Sequence, residues 1–471
     1  MLIPMEPDSS SDQRPVIQAS EILAKIERGE DVEYDGVIVE GDLDISGLDL
    51  PTEHVKRTEH EYRTLGVTNE LKVISSQIMI TNSKIRGKVI FSNARFLGII
   101  SFTVAKFGDV ASFLGAEFRG KANFWSAQFG SDARFDETRF SGNASFVGAK
   151  FGGFASFEKA EFGGKADFWG AQFSDFVTFR HAQLSNGADF PNAKFSNFAD
   201  FRHAQFNDYA TFPYAQFNDY ADFRDSEFNN RLILKDLKFV RLYITWNSIR
   251  DNLVYDGPTY LALIKNFKVI EQFSDADDCY YQYRKESQAQ KKWYSKENRL
   301  IEFLVRSYNW TSTKIRRIFK YLSWIKDYSP FTWIHRFNWS KLLDWIGFVS
   351  CGYGVRIQPI ILWVLSSVLS FTLLYKLLPP SCGGIAESGP STVTMEAVNN
   401  STLLFTFSSG DGAVSSSWGE CLYFSFTALT GGTPDGLHPV GLCKYAVMVE
   451  GVLGYLFLAL FVVVLARKII R

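Results

Sequence analysis

The stretch Ala111-Ser-Phe-Leu-Gly-Ala-Glu-Phe-Arg-Gly-Lys-Ala-Asn-Phe-Trp-Ser-Ala-Gln-Phe129 decides how most of the chain folds. Phenylalanines recur every eleven residues from Phe102 to Phe223 in twelve copies, and a second series runs from Phe107 to Phe228 with Leu184 at one position. The gaps between the two series alternate five and six. Alanines such as Ala111 and Ala122, or Ala105 and Ala116, precede most of these phenylalanines by two. The unit is Ala-x-Phe-x-x-Ala-x-Phe-x-x-x. Neither the 3.6-residue period of a helix nor the two-residue period of a flat strand produces it. Steps of five fit a chain that turns a corner after each short strand, with phenylalanine and the preceding alanine both pointing to an axis.

This unit resembles the pentapeptide-repeat family, which implies a right-handed four-sided β-solenoid. The resemblance is direct over residues 88 to 230 and degenerate over 36 to 87, with 51 to 70 read as an insertion. The sixth residue in alternate steps is expected at alternate corners, giving about 22 residues per coil. Twelve copies then make about six coils. Some relatives imitate DNA with strongly acidic sides, but 13 Lys/Arg against 16 Asp/Glu between Phe91 and Phe228 argue against that here. His181 and His203, 22 apart, are expected to stack as surface residues; two exposed histidines do not make a metal site.

Outward from the repeat, Gln18 to Gly29 reads as a short amphipathic helix capped by Ser20 and stopped by Gly29. Past Phe239, the stripe Leu261, Ile264, Phe267 and Ile270 predicts one helix. Ser274 is expected to cap a second helix, from Asp275 through Lys296, the pair covering the solenoid's last open coil. Tryptophans 310, 324, 333, 339 and 345, interleaved with Arg and Lys, suit helices lying on a membrane face. The glycines of Cys351-Gly-Tyr-Gly-Val-Arg356 suit an elbow into a spanning helix.

Two apolar runs, 357–378 and 445–466, are each long enough at about 1.5 Å per residue to cross a hydrocarbon core of about 30 Å. Between them lies Trp418-Gly-Glu-Cys-Leu-Tyr-Phe-Ser-Phe-Thr-Ala-Leu-Thr-Gly-Gly-Thr-Pro-Asp-Gly436, too short to cross. From 281 to 356 there are 15 basic and 5 acidic residues, whereas 379–444 holds only Lys444 against five acidic ones. The positive-inside rule then puts both termini in the cytoplasm, with the plasma membrane as location. The N-terminus lacks the features of a secretory signal. A net charge of −1 argues against a general nucleic-acid binder.

The 418–436 segment resembles the pore of two-helix, tetrameric potassium-channel-type proteins. The resemblance implies a pore helix at 418–429 and a selectivity filter at Thr430, Gly431, Gly432, Thr433, Pro434 and Asp435, in place of T-V-G-Y-G. Thr430, Gly432 and Asp435 match; Pro434, with φ fixed near −65°, departs, so weak or altered potassium selectivity among monovalent cations is expected. Thr427 and Glu450 are expected to support the filter, Glu450 facing the pore helix or a neighbouring subunit. Gly451 and Gly454 read either as a gating hinge or as close helix packing. Cys382 and Cys443 abut the outer ends of the spans, paired or free. Asn399 and Asn400 head glycosylation triplets.

The expected organisation is a helical cap (1–34), a β-solenoid (35–240), a helical linker (241–355) and a two-span pore domain (356–471). Its function is that of a homotetrameric cation channel, the alternative being a non-conducting membrane-anchored interaction scaffold. The sequence contains no motif for an enzyme, a cofactor or a metal. Membrane lipid is an expected partner, nucleic acid is not, and the solenoid's own ligand is left open.

Overall fold

In the computed structural model, residues 13–56, 67–292, 338–377, 385–387, 392–399, 402–408, 417–432, 437–439 and 441–469 are described. They fall into two units, one up to Tyr280 and one from Tyr281 onward.

The first unit is a parallel β-solenoid of about ten turns. Each 22-residue coil donates four two-residue strands, each pairing in parallel with the strand 22 residues on, as in Phe107↔Phe129, Ala111↔Ala133, Phe118↔Phe140 and Ala122↔Ala144. The repeat phenylalanines and alanines are buried throughout. Rings one coil apart lie face to face, for example Phe113 and Phe135 at 5.0 Å and 6°, or Phe179 and Phe201 at 4.9 Å and 1°. Neighbours around the coil meet edge to face, as Phe135 and Phe146 do at 84°. The edge-to-face contacts suit the aromatic quadrupole, and the parallel stacks follow from the 22-residue register.

The five- and six-residue steps turn differently. Every five-residue step contains one residue in the left-handed region, such as Gly115, Ser126, Glu137, Gly148, Lys159, Gly170 and His181, recurring every eleven positions. That conformation is uncommon for a residue with a Cβ. It persists because the amide bonds to the next coil, as in Ser126 N–H to Val147 O at 2.7 Å.

More coils form than the twelve clear copies imply, because 67–90 joins the stack despite its weak pattern. Glu70–Ile74 pairs in parallel with Ala94–Phe96, and only Thr52–His54 runs against it in antiparallel.

Helix α1 (Ala19–Glu27) buries Ala19, Ile22 and Ile26 at the first coil. Gln18, not Ser20, occupies the N-cap; Gly29 follows the helix at φ +72°.

The last coils meet α2 (Trp246–Ile249), α3 (Gly257–Val269) and the start of α4 (Phe273–Gln290). The buried face of α3 is Tyr260, Leu263, Ile264 and Phe267, and Leu261 is half exposed, so the expected stripe is rotated by about one residue. The reason is Asn266, which must face inward: its side-chain amide donates to Leu242 O at 2.7 Å and accepts from Leu242 N–H at 3.0 Å. A side chain thus continues the β-ladder where strands end. Ser274 lies inside α4 rather than capping it; Lys296 is outside the described residues. Cys279 is buried on α4, and that burial pushes its thiol well above the usual range.

In the second unit α5 (Trp339–Cys351) carries Asp344, which pairs with Arg284 and Lys291. Burial opposes the ionised form, but hydrogen bonds and the two cations outweigh it and hold the carboxyl below its usual range. The elbow is present as three consecutive left-handed residues, Gly352, Tyr353 and Gly354. The Tyr353 hydroxyl bonds Gln288 at 2.9 Å, and the Arg356 guanidinium covers the Tyr281 ring at 3.7 Å. Trp310, Trp324 and Trp333 lie outside the described residues.

Candidate functional site

Two helices, α6 (Gln358–Leu377) and α8 (Cys443–Ile469), are long and apolar enough to cross a membrane. Only 11 % of the apolar window of α8 is buried, unlike the core helix of a water-soluble protein. Between them packs α7 (Trp418–Leu429). It starts at a capping box in which the Glu420 carboxylate accepts the Ser417 N–H at 2.6 Å. Twelve residues span about 18 Å, roughly half a bilayer core.

The course of α7 follows from its contacts. Trp418 lies by Lys376 at the end of α6, the Ser425 hydroxyl reaches Val368 O at 3.1 Å, and Leu429 and Thr430 share a groove with Ile360, Ile361 and Val364. The helix therefore descends along α6 toward its start. The chain then returns: Leu437–Pro439 pairs in antiparallel with Ile385–Glu387, just past the end of α6. Cys443 opens α8 in one cluster with Tyr375, Ile385, Cys421 and Phe424. Trp418 and Leu437–Pro439 thus lie at the same end of the helix pair.

Glu450 is fully buried where the three helices meet. Tyr375 of α6 donates to its carboxylate at 2.6 Å, and Ser425 of α7 bonds its other oxygen. Within this chain, Glu450 thus faces α7 as well as α6. The Tyr375 ring stands edge-on to Phe424 at 5.3 Å. Tyr375 and Ser425 were not singled out from sequence; each is a polar residue inside an apolar helix, and that was the available signal.

Thr427 turns its hydroxyl back to Tyr423 O and Phe424 O, both at 2.9 Å. Beyond Leu429, Thr430 Oγ1 donates to Thr427 O at 2.9 Å, Gly432 N–H donates to the same carbonyl at 2.9 Å, and Gly431 sits at φ +81°. Residues 430–432 therefore close the helix with a left-handed turn. Thr433, Pro434 and Asp435 lie outside the described residues, as do Cys382 and Asn400. Cys443 and Cys421 lie together in the shared cluster. Asn399 ends the strand Thr392–Asn399.

The two glycines of α8 differ. A Cβ on Gly454 would stand 1.7 Å from Leu429 O, whereas one on Gly451 would make an ordinary contact at 3.7 Å with Ala428 O. Gly454 lets α8 press against the end of α7. Below that contact is an apolar groove of about 410 Å³ lined by Val364, Leu365, Tyr455 and Phe461, among others.

On the solenoid, His181 and His203 stack at 4.7 Å and 5°. Among the described residues no three side chains converge as metal ligands.

Residues 80–227 match the family model for pentapeptide repeats in overlapping segments, 80–128, 91–139, 102–149, 135–183 and 179–227. The chain thus carries a pentapeptide-repeat domain followed by several helices, two of them suited to a membrane. No curated protein and no solved structure matches it.

Proposed function

We propose that this chain is one subunit of a cation channel of potassium-channel type, four copies surrounding one axis, with the solenoid and both termini in the cytoplasm and the pore in the plasma membrane. The observation that carries the reading is that α7 starts beside the end of α6 and descends along it, while Leu437–Pro439 lies back at that same end. A half-length helix ending in exposed polar backbone at Thr430–Gly432 is tolerable at membrane depth only beside protein or water. One helical hairpin cannot enclose water, so closed symmetry is needed. Thr430 to Asp435 form the selective segment. With Pro434 in place of a filter glycine, it passes monovalent cations with weak preference for potassium. The solenoid in this reading is right-handed and four-sided. Purified protein in planar bilayers is expected to give discrete cation currents whose reversal potentials change in Thr430→Ala and Asp435→Asn. Silence from a well-folded oligomer refutes it.

One observation favours a second reading, a non-conducting membrane-anchored scaffold. Residues 430–432 close a helix instead of extending as a line of carbonyls. Particle mass in detergent separates the two: a tetramer fits the channel, a monomer or dimer the scaffold.

A further inference from the structure

The outward faces of the solenoid are not equivalent in charge. On three of its strand columns, charges are neutralised locally. Arg95 pairs with Glu117 at 2.8 Å and Arg139 with Glu161 at 2.6 Å; Arg202 and Arg224 bind Asp200 and Asp222; Lys165 lies 2.5 Å from Asp189. The fourth column reads Lys84, Lys106, Gln128, Lys150, Gln172, Lys194, Gln216, Lys238, each paired directly with the next. Lys106, Lys150, Lys194 and Lys238 are exposed. None of the five lysines enters an ion pair among the described residues. Like charges directly opposite one another on adjacent strands repel. Glutamine spacers relieve this by placing most of the ammonium groups two rungs apart, about 9.6 Å, along a line of about 34 Å.

The corner that leads into this column is apolar and exposed. Residues 125, 147, 169, 191 and 213 stack there, as the bonds from Ser126 N–H to Val147 O, Gly148 N–H to Trp169 O and Gly170 N–H to Pro191 O require. Trp125 and Trp169 are 47 % and 54 % exposed, and Tyr214 follows at 48 %. At the corner beyond the column stand Asp109, Asp132, Asp175 and Asp219, the first three accepting backbone N–H groups at 2.7, 3.1 and 2.8 Å, so the excess of positive charge is confined to the column itself.

We propose that this edge, the lysine column with the tryptophan corner beside it, docks on an anionic lipid surface. Charge complementarity selects a polyanionic partner, and the tryptophans select a membrane among polyanions, because indole rings settle at headgroup depth while lysines engage anionic lipid. The inference rests on the proposal that α6 and α8 cross a bilayer with the solenoid on the cytoplasmic side. Such a tether raises the local concentration of the edge near the anionic leaflet. Each lysine brought to such a surface contributes about fivefold in binding.

The test uses the full chain in nanodiscs of phosphatidylcholine alone or mixed with phosphatidylserine. Lysine acylation is read residue by residue by mass spectrometry, with Lys121 on another side as reference. In the anionic discs, acylation of Lys106, Lys150 and Lys194 is expected to fall about fivefold relative to Lys121, and less in high salt. In Lys106→Gln/Lys150→Gln/Lys194→Gln, which places in those coils the residue already present at 128, 172 and 216, Lys84 and Lys238 should return to the rates seen in neutral discs. Equal acylation in both discs overturns the inference, as does protection in neutral lipid that survives the triple substitution, which would point to a protein partner. A chain that does not enter discs removes the membrane reading itself. Electrical silence alongside lysine protection refutes conduction and leaves this inference standing.

Discussion

Replacing Gly454 with alanine tests what holds the end of α7 in place. The added methyl carbon would lie 1.7 Å from Leu429 O and 2.8 Å from Leu429 C, both backbone atoms that no side-chain rotation can move. Reaching an ordinary separation of about 3.4 Å needs a displacement of about 1.7 Å, which must come from shifting α7 against α8. Overpacking on this scale costs about 1–3 kcal/mol. Part of that is offset by alanine's better helix propensity, about 1 kcal/mol. Gly451→Ala supplies the control: its methyl would sit 3.7 Å from Ala428 O, so only the propensity gain remains. Thermal unfolding in detergent should therefore place Gly454→Ala below the parent and Gly451→Ala at or above it. Thr430 and Gly431 lie at the end of the displaced segment, so any conductance should change in Gly454→Ala alone. If the two variants behave alike, close packing is the wrong account and the pair acts as a flexible joint.

Phe157→Ala should cost about 3–5 kcal/mol, since Phe157 is fully buried between Phe135 at 5.0 Å and Phe179 at 4.8 Å. Each coil touches only its neighbours, so hydrogen exchange should rise in the coils around 135–179 and leave residues 200–243 protected; a uniform rise would refute that locality. For pH, burial and then the nearby His203, Arg180 and Lys159 hold His181 below its usual pKa. The unfolded chain then binds more protons, so this contribution is present above pH of about 6.5 and is lost as pH falls toward the folded value. Thermal midpoints should drop further between pH 7.5 and 5.5 in the parent than in His203→Gln, and identical slopes would exclude the histidine pair as the cause.

The solenoid was legible because the Ala and Phe positions fix both the period and the side that faces inward. Its corners were not: Val104, Glu137 and Lys159 have no preference for the left-handed region, and closure of the coil with its bonds to the next imposes it. The face of α3 was misjudged by about one residue because Asn266 reads as solvent-facing until the last β-ladder needs its amide. In the second unit, length and hydropathy placed α6 and α8 to within a few residues, while the bounds of α7 came from the resemblance. What sequence left open was the partner of Glu450. A buried carboxylate announces that it needs donors, but naming Tyr375 and Ser425 requires knowing how three helices are rotated.

The 22-residue register also limits how such a rod can change length. Duplicating one whole coil would add about 4.8 Å and leave every downstream side chain facing as before. Duplicating a single eleven-residue unit, though just as compatible with the core, would rotate everything after it by half a revolution. The lysine line would be broken into two halves on opposite sides, and whatever follows Phe239 would leave the rod in the reverse direction.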